Sequence, residues 1–460
     1  MRAEAWCSPD RPLSQASLAV QGAWLAAHAQ RGIVLQALSS TLLLGVVYLL
    51  FRHLLPHPLH ALAAAGLYAL LPNKLDLYHT SLYVVANVGY SLYAGALLGF
   101  VRFARSGSAL ALGTALLCYS GAVFWTEVGF LLPLLLLLYA RLFAPGRVRA
   151  AAVFLVPALA YVAIRWSGGV CGTEGIGREP LPENILGNIL GAAPGHLVGR
   201  YVIRAVVYGA DRFFDMERPW TWLLLGLDLV VVGVVVRAAG AWPSLRLDRP
   251  LSIWAGVTTL AMLVPSLLYV VESRHLGLAD IGFSLLLLHG LSFLGGRSRR
   301  TLIAVGVCVL LVVSQGTGWS QVVACRLNRS VYEALAERKT EVEAAERVLI
   351  DMGSFAERIP YTWGERTRNR LHNYFGMQAL APWGLRSMVR LATESQAPAH
   401  VTLFSPRARG DLLEIDEPVT RTELVTRVIP APGTLVVDFA FVFPNGYSAG
   451  RRAAENVTVR

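Results

Sequence analysis

Charge is scarce in this sequence. Of its 460 residues, 15% are Asp, Glu, Lys or Arg, against roughly 25% in soluble domains. Lysine is nearly missing, occurring only at Lys74 and Lys339. The net charge of +11 therefore rests on arginine, a bias that reads as codon usage in a GC-rich bacterial genome. Cysteine is sparse too. Cys7, Cys118, Cys171, Cys308 and Cys325 form no CxxC pair and no metal-ligand spacing. Cys118 and Cys308 sit in apolar runs and read as small core residues; pairing among Cys7, Cys171 and Cys325 on an oxidising face stays open. There is no GxxxxGK[ST] loop, no GxSxG elbow and no HExxH helix. P-loop nucleotide chemistry, the serine-hydrolase elbow and zincin chemistry are thereby excluded as readings. The glycine-rich WSGGVCGTEGIG at 166–177 follows an apolar run and reads as the start of a loop. The basic balance is accounted for by membrane topology, which positive residues also fix, so no nucleic acid is expected as a partner. The first 30 residues lack the basic, apolar and cleavage-site succession of a signal peptide.

Apolar residues fill the space left by charge, at 55% of the chain. A helix needs about 20 apolar residues to cross a bilayer, fewer where protein shields it. Ten runs qualify: 33–51, 58–72, 81–101, 108–123, 128–143, 150–166, 221–236, 252–271, 276–294 and 301–319. The expected fold is an all-α polytopic membrane protein of about ten transmembrane helices. Residues 184–209 are amphipathic, interrupted by His196, Arg200 and Arg204, and read as an interfacial or re-entrant helix within an outer loop, 167–220.

Orientation follows from arginine. Alternate connections carry Arg52; Arg102 and Arg105; Arg141, Arg147 and Arg149; Arg237, Arg246 and Arg249; and Arg297, Arg299 and Arg300, with Asp248 the one acid among them. The intervening connections hold Lys74 and Asp76, Glu127, the 167–220 loop, and Glu272 with Arg274. One register satisfies every loop, with the arginine side cytoplasmic and the acidic side periplasmic or extracellular. The expected location is the inner (plasma) membrane. With ten crossings, residues 1–32 and 320–460 both fall outside. An outer N-terminus without a signal implies either a weak inserting helix at 14–29 or a first helix and loop upstream; the second is the favoured expectation.

The tail divides in three. Residues 320–350 carry apolar positions at helical spacing. Residues 351–395 include YTWGERTRNRLHNYFG, rich in arginine and aromatics, which suits either a headgroup-facing surface or contact with a sugar or phosphate. In 400–458, HVTLFS, TLVVDFAFVF and ENVTV read as strands split by Pro430, Pro432 and the Pro444-Asn445-Gly446 turn. The tail is thus expected as a small α+β extracytoplasmic region.

Ionisable groups at helix ends on the acidic side are the candidate site. Asp76 lies in LLPNKLDLYHTS beside Lys74 and His79, and a loop ion pair is its plainer reading. Glu127 precedes the fifth run, where Thr126 and Glu127 could simply cap a helix. In VVESRHLGLADIGFSLLLL, at 270–288, Glu272, Arg274 and His275 separate two spans. Charges at membrane depth point to function by default. Arg274 and His275 would bind an anionic headgroup or lipid phosphate, Glu272 would hold Arg274, and an internal salt bridge in a hairpin is the alternative. Asp280 lies further along the next helix or forms a polar contact between helices.

The order of these features resembles the polytopic GT-C glycosyltransferases, in particular bacterial relatives of the TPR-containing protein O-mannosyltransferases. DRPLSQASLAVQGAWL before LSSTLLLGVVYLLFRHLL is similar to the family's RPL segment. HPLHALAAAGLYALLPNKLDLYHTSLYVVANVGYSLY and FWTEVGFLLPLLLLLY are similar to its paired short helices, with Thr126 where a second charge is usual. ESRHLGLADIGF resembles its E-x-R-x-L-x-L-x-x-I-G-F stretch at Glu272, Arg274, Leu276, Leu278, Ile281, Gly282 and Phe283. The likeness covers roughly residues 10–320. It implies a polyprenyl-phosphate sugar as donor, a glycan or protein acceptor, and an outer active site; a divalent metal is compatible with it, and no other cofactor is implied. It also implies a catalytic aspartate in the loop after the first helix, and this chain begins near the end of that loop. The catalytic residue is therefore unknown, with Asp76 and Glu127 as candidates. A membrane glycosyltransferase is the leading expectation. A catalytically inactive scaffold is the alternative, and a lipid or sugar transporter is the third, disfavoured by the lack of repeated broken helices.

Overall fold

The structure is a computed structural model. It describes residues 30–71, 84–126, 129–166, 218–240, 247–268, 277–294, 296–351, 398–402, 406–418, 424–441 and 457–459, with scattered residues in 209–216 and 389–393. The chain divides into two compact units, Met1–Val207 with Leu225–Ser314, and Tyr208–Leu224 with Gln315–Arg460.

The helices are α1 (Gln30–Leu54), α2 (Pro58–Leu70), α3 (Val84–Ser106), α4 (Ala109–Trp125), α5 (Leu132–Phe143), α6 (Val148–Ala152), α7 (Leu155–Trp166), α8 (Arg218–Gly240), α9 (Arg249–Leu268), α10 (Ala279–Ser292), α11 (Gly296–Glu337) and α12 (Lys339–Ala344). Helix lies on each of the ten apolar runs. Among the described residues, four stretches are long and apolar enough to cross a membrane: Val34–Leu54, Pro145–Ile164, Arg218–Arg237 and Gly296–Gly316. Pro58–Leu70, Ala109–Trp125, Leu132–Phe143 and Ala279–Ser292 are apolar but shorter.

Local chemistry fixes the helix ends. Pro58 opens α2, and the His57 ring accepts the Leu59 amide. Gly107 (φ +70°) closes α3, its amide bonded to the Phe103 carbonyl at 2.8 Å. Ser108 then caps α4 by accepting the Ala111 amide. At Thr126 the expectation is corrected. Its backbone is extended and its amide bonds the Ala122 carbonyl, so it ends α4 rather than starting the next helix. The following helix begins at Leu132, with Pro133 in its first turn and without a side-chain cap.

In the first unit α3 is central, packed between α1 and α4. Gly99 permits the α3–α4 approach, since a Cβ there would lie 2.9 Å from the Ala115 Cβ. Phe100 meets Phe103, Tyr139 and Phe154, and Trp254 of α9 donates its indole N–H to the Leu135 carbonyl at 3.2 Å. Outward faces are apolar: Leu38, Leu110, Leu117, Leu159 and Leu229 are exposed. Soluble monomers rarely show such continuous apolar surface, and a hydrocarbon environment accounts for it.

Among the described residues the second unit holds seven strands: β1 (Arg347–Asp351), β2 (Ala399–Thr402), β3 (Arg407–Arg409), β4 (Leu412–Pro418), β5 (Leu424–Pro430), β6 (Thr434–Phe441) and β7 (Val457–Val459). One sheet has the order β2-β1-β6-β7 and the other β3-β4-β5. β1 pairs in parallel with β2 and β6, while β7 is antiparallel to β6. The helix expected through 350 therefore stops earlier: α12 ends at Ala344, and Val348, Leu349 and Ile350 are fully buried in the central strand. Leu349, Ile415 and Ile429 form a core shared by the two sheets.

Candidate functional site

Lys74, Asp76, His79, Glu127, Glu272, Arg274 and His275 lie outside the described residues. Their described neighbours meet at the start of α3. A Cβ on Gly89 would lie 2.8 Å from Thr126, the residue before Glu127. A Cβ on Gly277, two residues after His275, would lie 2.9 Å from the Tyr90 ring. The Tyr93 hydroxyl donates to the Thr126 carbonyl, and a Cβ on Gly129 would run into the Tyr93 ring. Glycines at 89, 129 and 277 thus let Thr126, Gly129 and Gly277, which border the candidate segments, close on Gly89–Tyr93.

Beside these contacts lies a polar cluster that reading the sequence did not single out. Asn87 is fully buried and donates from its amide to the Ser40 hydroxyl at 3.1 Å and the Ser39 hydroxyl at 3.4 Å. Ser39 donates to the Gln36 carbonyl, and Ser91 to the Asn87 carbonyl at 2.7 Å. Gln36, Ser39 and Ser91 are buried as well. The signal was present: Asn87 and Ser91 are four apart, and Gln36 and Ser39 three apart, so each pair shares a helix face. Buried amides and hydroxyls in such surroundings join helices through hydrogen bonds.

The ESRHLGLADIGF stretch divides by role. Its described half is structural: Leu278 and Ile281 are buried, and a Cβ on Gly282 would run into the Ala255 carbonyl and Thr259, so glycine is what lets α10 lie against α9. Asp280 sits in the first turn of α10 and is 5% exposed. A carboxylate there faces the positive end of the helix dipole. Asp228 is also buried, within the otherwise outward-facing α8.

The arginines gather at the other end of α3. Arg52, Arg102 and Arg105 all act electrostatically on His53, Arg105 acts likewise on Tyr139, and the Arg147 guanidinium lies over Phe103, 5.0 Å from the ring centre. From Asn87 to Arg105 is 18 residues, about 27 Å along the helix. Among the described residues the first unit is therefore two-ended, with buried amides and hydroxyls around Asn87 and cations around Arg105. Among the described residues, no three His, Cys, Asp or Glu side chains are grouped so as to hold a metal.

Comparison with protein-family models, with curated proteins and with solved structures gives no match.

Proposed function

We propose that the chain is a membrane glycosyltransferase of the GT-C kind, moving a sugar from a polyprenyl-phosphate donor to an acceptor at the outer face. The observation that carries this reading is the convergence of Thr126, Gly129 and Gly277 on Gly89–Tyr93. It supports bringing Asp76, Glu127 and the Glu272–His275 stretch to one end of the bundle, away from the arginines. In this reading all ten helical runs cross the membrane, partner helices shielding the shorter ones. The arginine end is cytoplasmic by the charge rule, and residues 320–460 are outside.

The chemistry follows from the side chains. Asp76 or Glu127 takes the proton of an acceptor hydroxyl. The hydroxyl oxygen bonds to the anomeric carbon as the bond from that carbon to the donor phosphate oxygen breaks, and the electron pair leaves on polyprenyl phosphate. Arg274 and His275 stabilise that phosphate through charge-assisted hydrogen bonds. Glu272 orients Arg274, and Lys74 and His79 add donors to the same anion.

The test is transfer of labelled sugar from polyprenyl-phosphate donors by the full chain in membranes. Glu127→Gln and Asp76→Asn are compared with the parent, and Arg274→Ala is expected to lower transfer by 100-fold or more, the loss of about 3 kcal/mol of charge-assisted phosphate binding. Equal non-zero transfer by Arg274→Ala removes Arg274 from the donor site. No transfer from any donor tried favours the catalytically inactive scaffold.

A further inference from the structure

The cationic end of the first unit is more ordered than topology alone demands. Loop arginines that set orientation need only be on the correct side, whereas here residues from three separate connections converge. Arg52 and His53 end α1, Arg102 and Arg105 lie on the last turns of α3, and Arg147 follows α5. Helices α1 and α3 pack along one another, which sets the first four side by side. Arg147 is held in place, stacked on Phe103 with its Nη2 2.8 Å from a Cβ built on Gly107, and Arg105 lies close enough to Tyr139 to act on it electrostatically. Asp248, the nearby carboxylate that acts on Tyr139, is occupied in capping α9 through the Leu251 amide at 2.9 Å.

Arg52, Arg102 and Arg105 remain exposed. They stand at the boundary of an apolar surface, since Arg52 lies within the Val34–Leu54 stretch, and Leu49 and Leu110 beside the cluster are 47% and 81% exposed. We propose that this corner, formed by Arg52, His53, Arg102 and Arg105, is a binding site for the headgroup phosphate of an anionic phospholipid, whose acyl chains lie along Leu49 and Leu110. Guanidinium forks match phosphate oxygens, and adjoining apolar surface suits a lipid rather than a dissolved anion. The proposal rests on the first unit lying in a membrane, not on sugar transfer.

Lipid binding to the purified full chain in non-ionic detergent tests it, with phosphatidylglycerol, phosphatidylcholine and inorganic phosphate as probes. The parent is expected to hold phosphatidylglycerol at least 10-fold more tightly than phosphatidylcholine. A cation at an anionic membrane surface contributes about 1 kcal/mol, a factor of about five, so R102Q/R105Q should weaken phosphatidylglycerol by 10-fold or more. R297Q/R300Q, in a different connection, should leave it unchanged, and R102K/R105K should retain most of it. If R102Q/R105Q unfolds in detergent, R52Q alone should still weaken binding about fivefold. Three results would each overturn the proposal: phosphatidylcholine binding equally well, the glutamine variants binding within twofold of the parent, and millimolar inorganic phosphate displacing the lipid, which would make this a soluble-anion site.

Discussion

Asn87 and Gly282 show how single residues set helix approach in this chain. Asn87 ties α3 to Ser39 and Ser40 of α1. Asn87→Leu removes those bonds and should cost about 1 kcal/mol, the usual scale for a polar contact between membrane helices. Unfolding in graded SDS measures it, and a variant as stable as the parent would show that the contact contributes nothing. Gly282→Leu forces a side chain into the Ala255 carbonyl and should cost about 1–3 kcal/mol. Gly290→Ala, on the same helix with nothing within 4 Å of the added Cβ, should be neutral. Equal effects at 282 and 290 would contradict the close α9–α10 contact. Little of this was legible in the sequence. Gly282 stood out through a family resemblance, but its packing role depends on Ala255, 27 positions earlier. Asn87 looked like one polar residue in an apolar run until packing set it against residue 39.

Among the elements, the helices were legible and several strands were not. Apolar runs flanked by arginine, proline or glycine marked every helix from α1 to the start of α11, because in such segments apolarity and length dominate. β2, β6 and β7 showed through their β-branched and aromatic alternation. β1 did not, because RVLID directly follows AAE and continues the helical spacing of its apolar residues. What makes it a strand is pairing with β2 and β6, residues 48 or more positions away, which no local pattern contains. β3 and β4 are joined by the Gly410 turn (φ +60°) and bound by Arg407–Glu414 at 2.8 Å and Arg409–Glu414 at 2.9 Å. Exposed pairs of this kind contribute little, so the second unit's stability rests on its buried residues. Leu349→Ala should cost about 2–5 kcal/mol and expose residues 345–460 to limited proteolysis, whereas Arg409→Ala should leave the digestion pattern unchanged. A parent-like pattern for Leu349→Ala would contradict β1 as the central strand.

For the molecule as a whole, the arginine pattern was the most informative part of the sequence. Residues assigned to one side by charge alone, Arg52, Arg102, Arg105 and Arg147, do meet at one end of the bundle. The acidic side was legible only as a set of separate loops; glycine contacts at 89, 129 and 277 are what draw their flanks to one place. The proposed donor, acceptor and catalytic carboxylate rest on chemistry that spacing does not encode. The two-ended bundle, with its site at the end away from the arginines, is the claim on which the functional reading depends. Its direct test is labelling by a membrane-impermeant thiol reagent, applied to each side of sealed vesicles. The five native cysteines are first replaced by serine or alanine, and single cysteines are then placed at Asp76, Glu127, Arg274, Arg105 and Arg147. Asp76→Cys, Glu127→Cys and Arg274→Cys should label from the outer side alone, and Arg105→Cys and Arg147→Cys from the cytoplasmic side alone. Labelling of Arg274→Cys from the same side as Arg105→Cys would contradict the two-ended bundle.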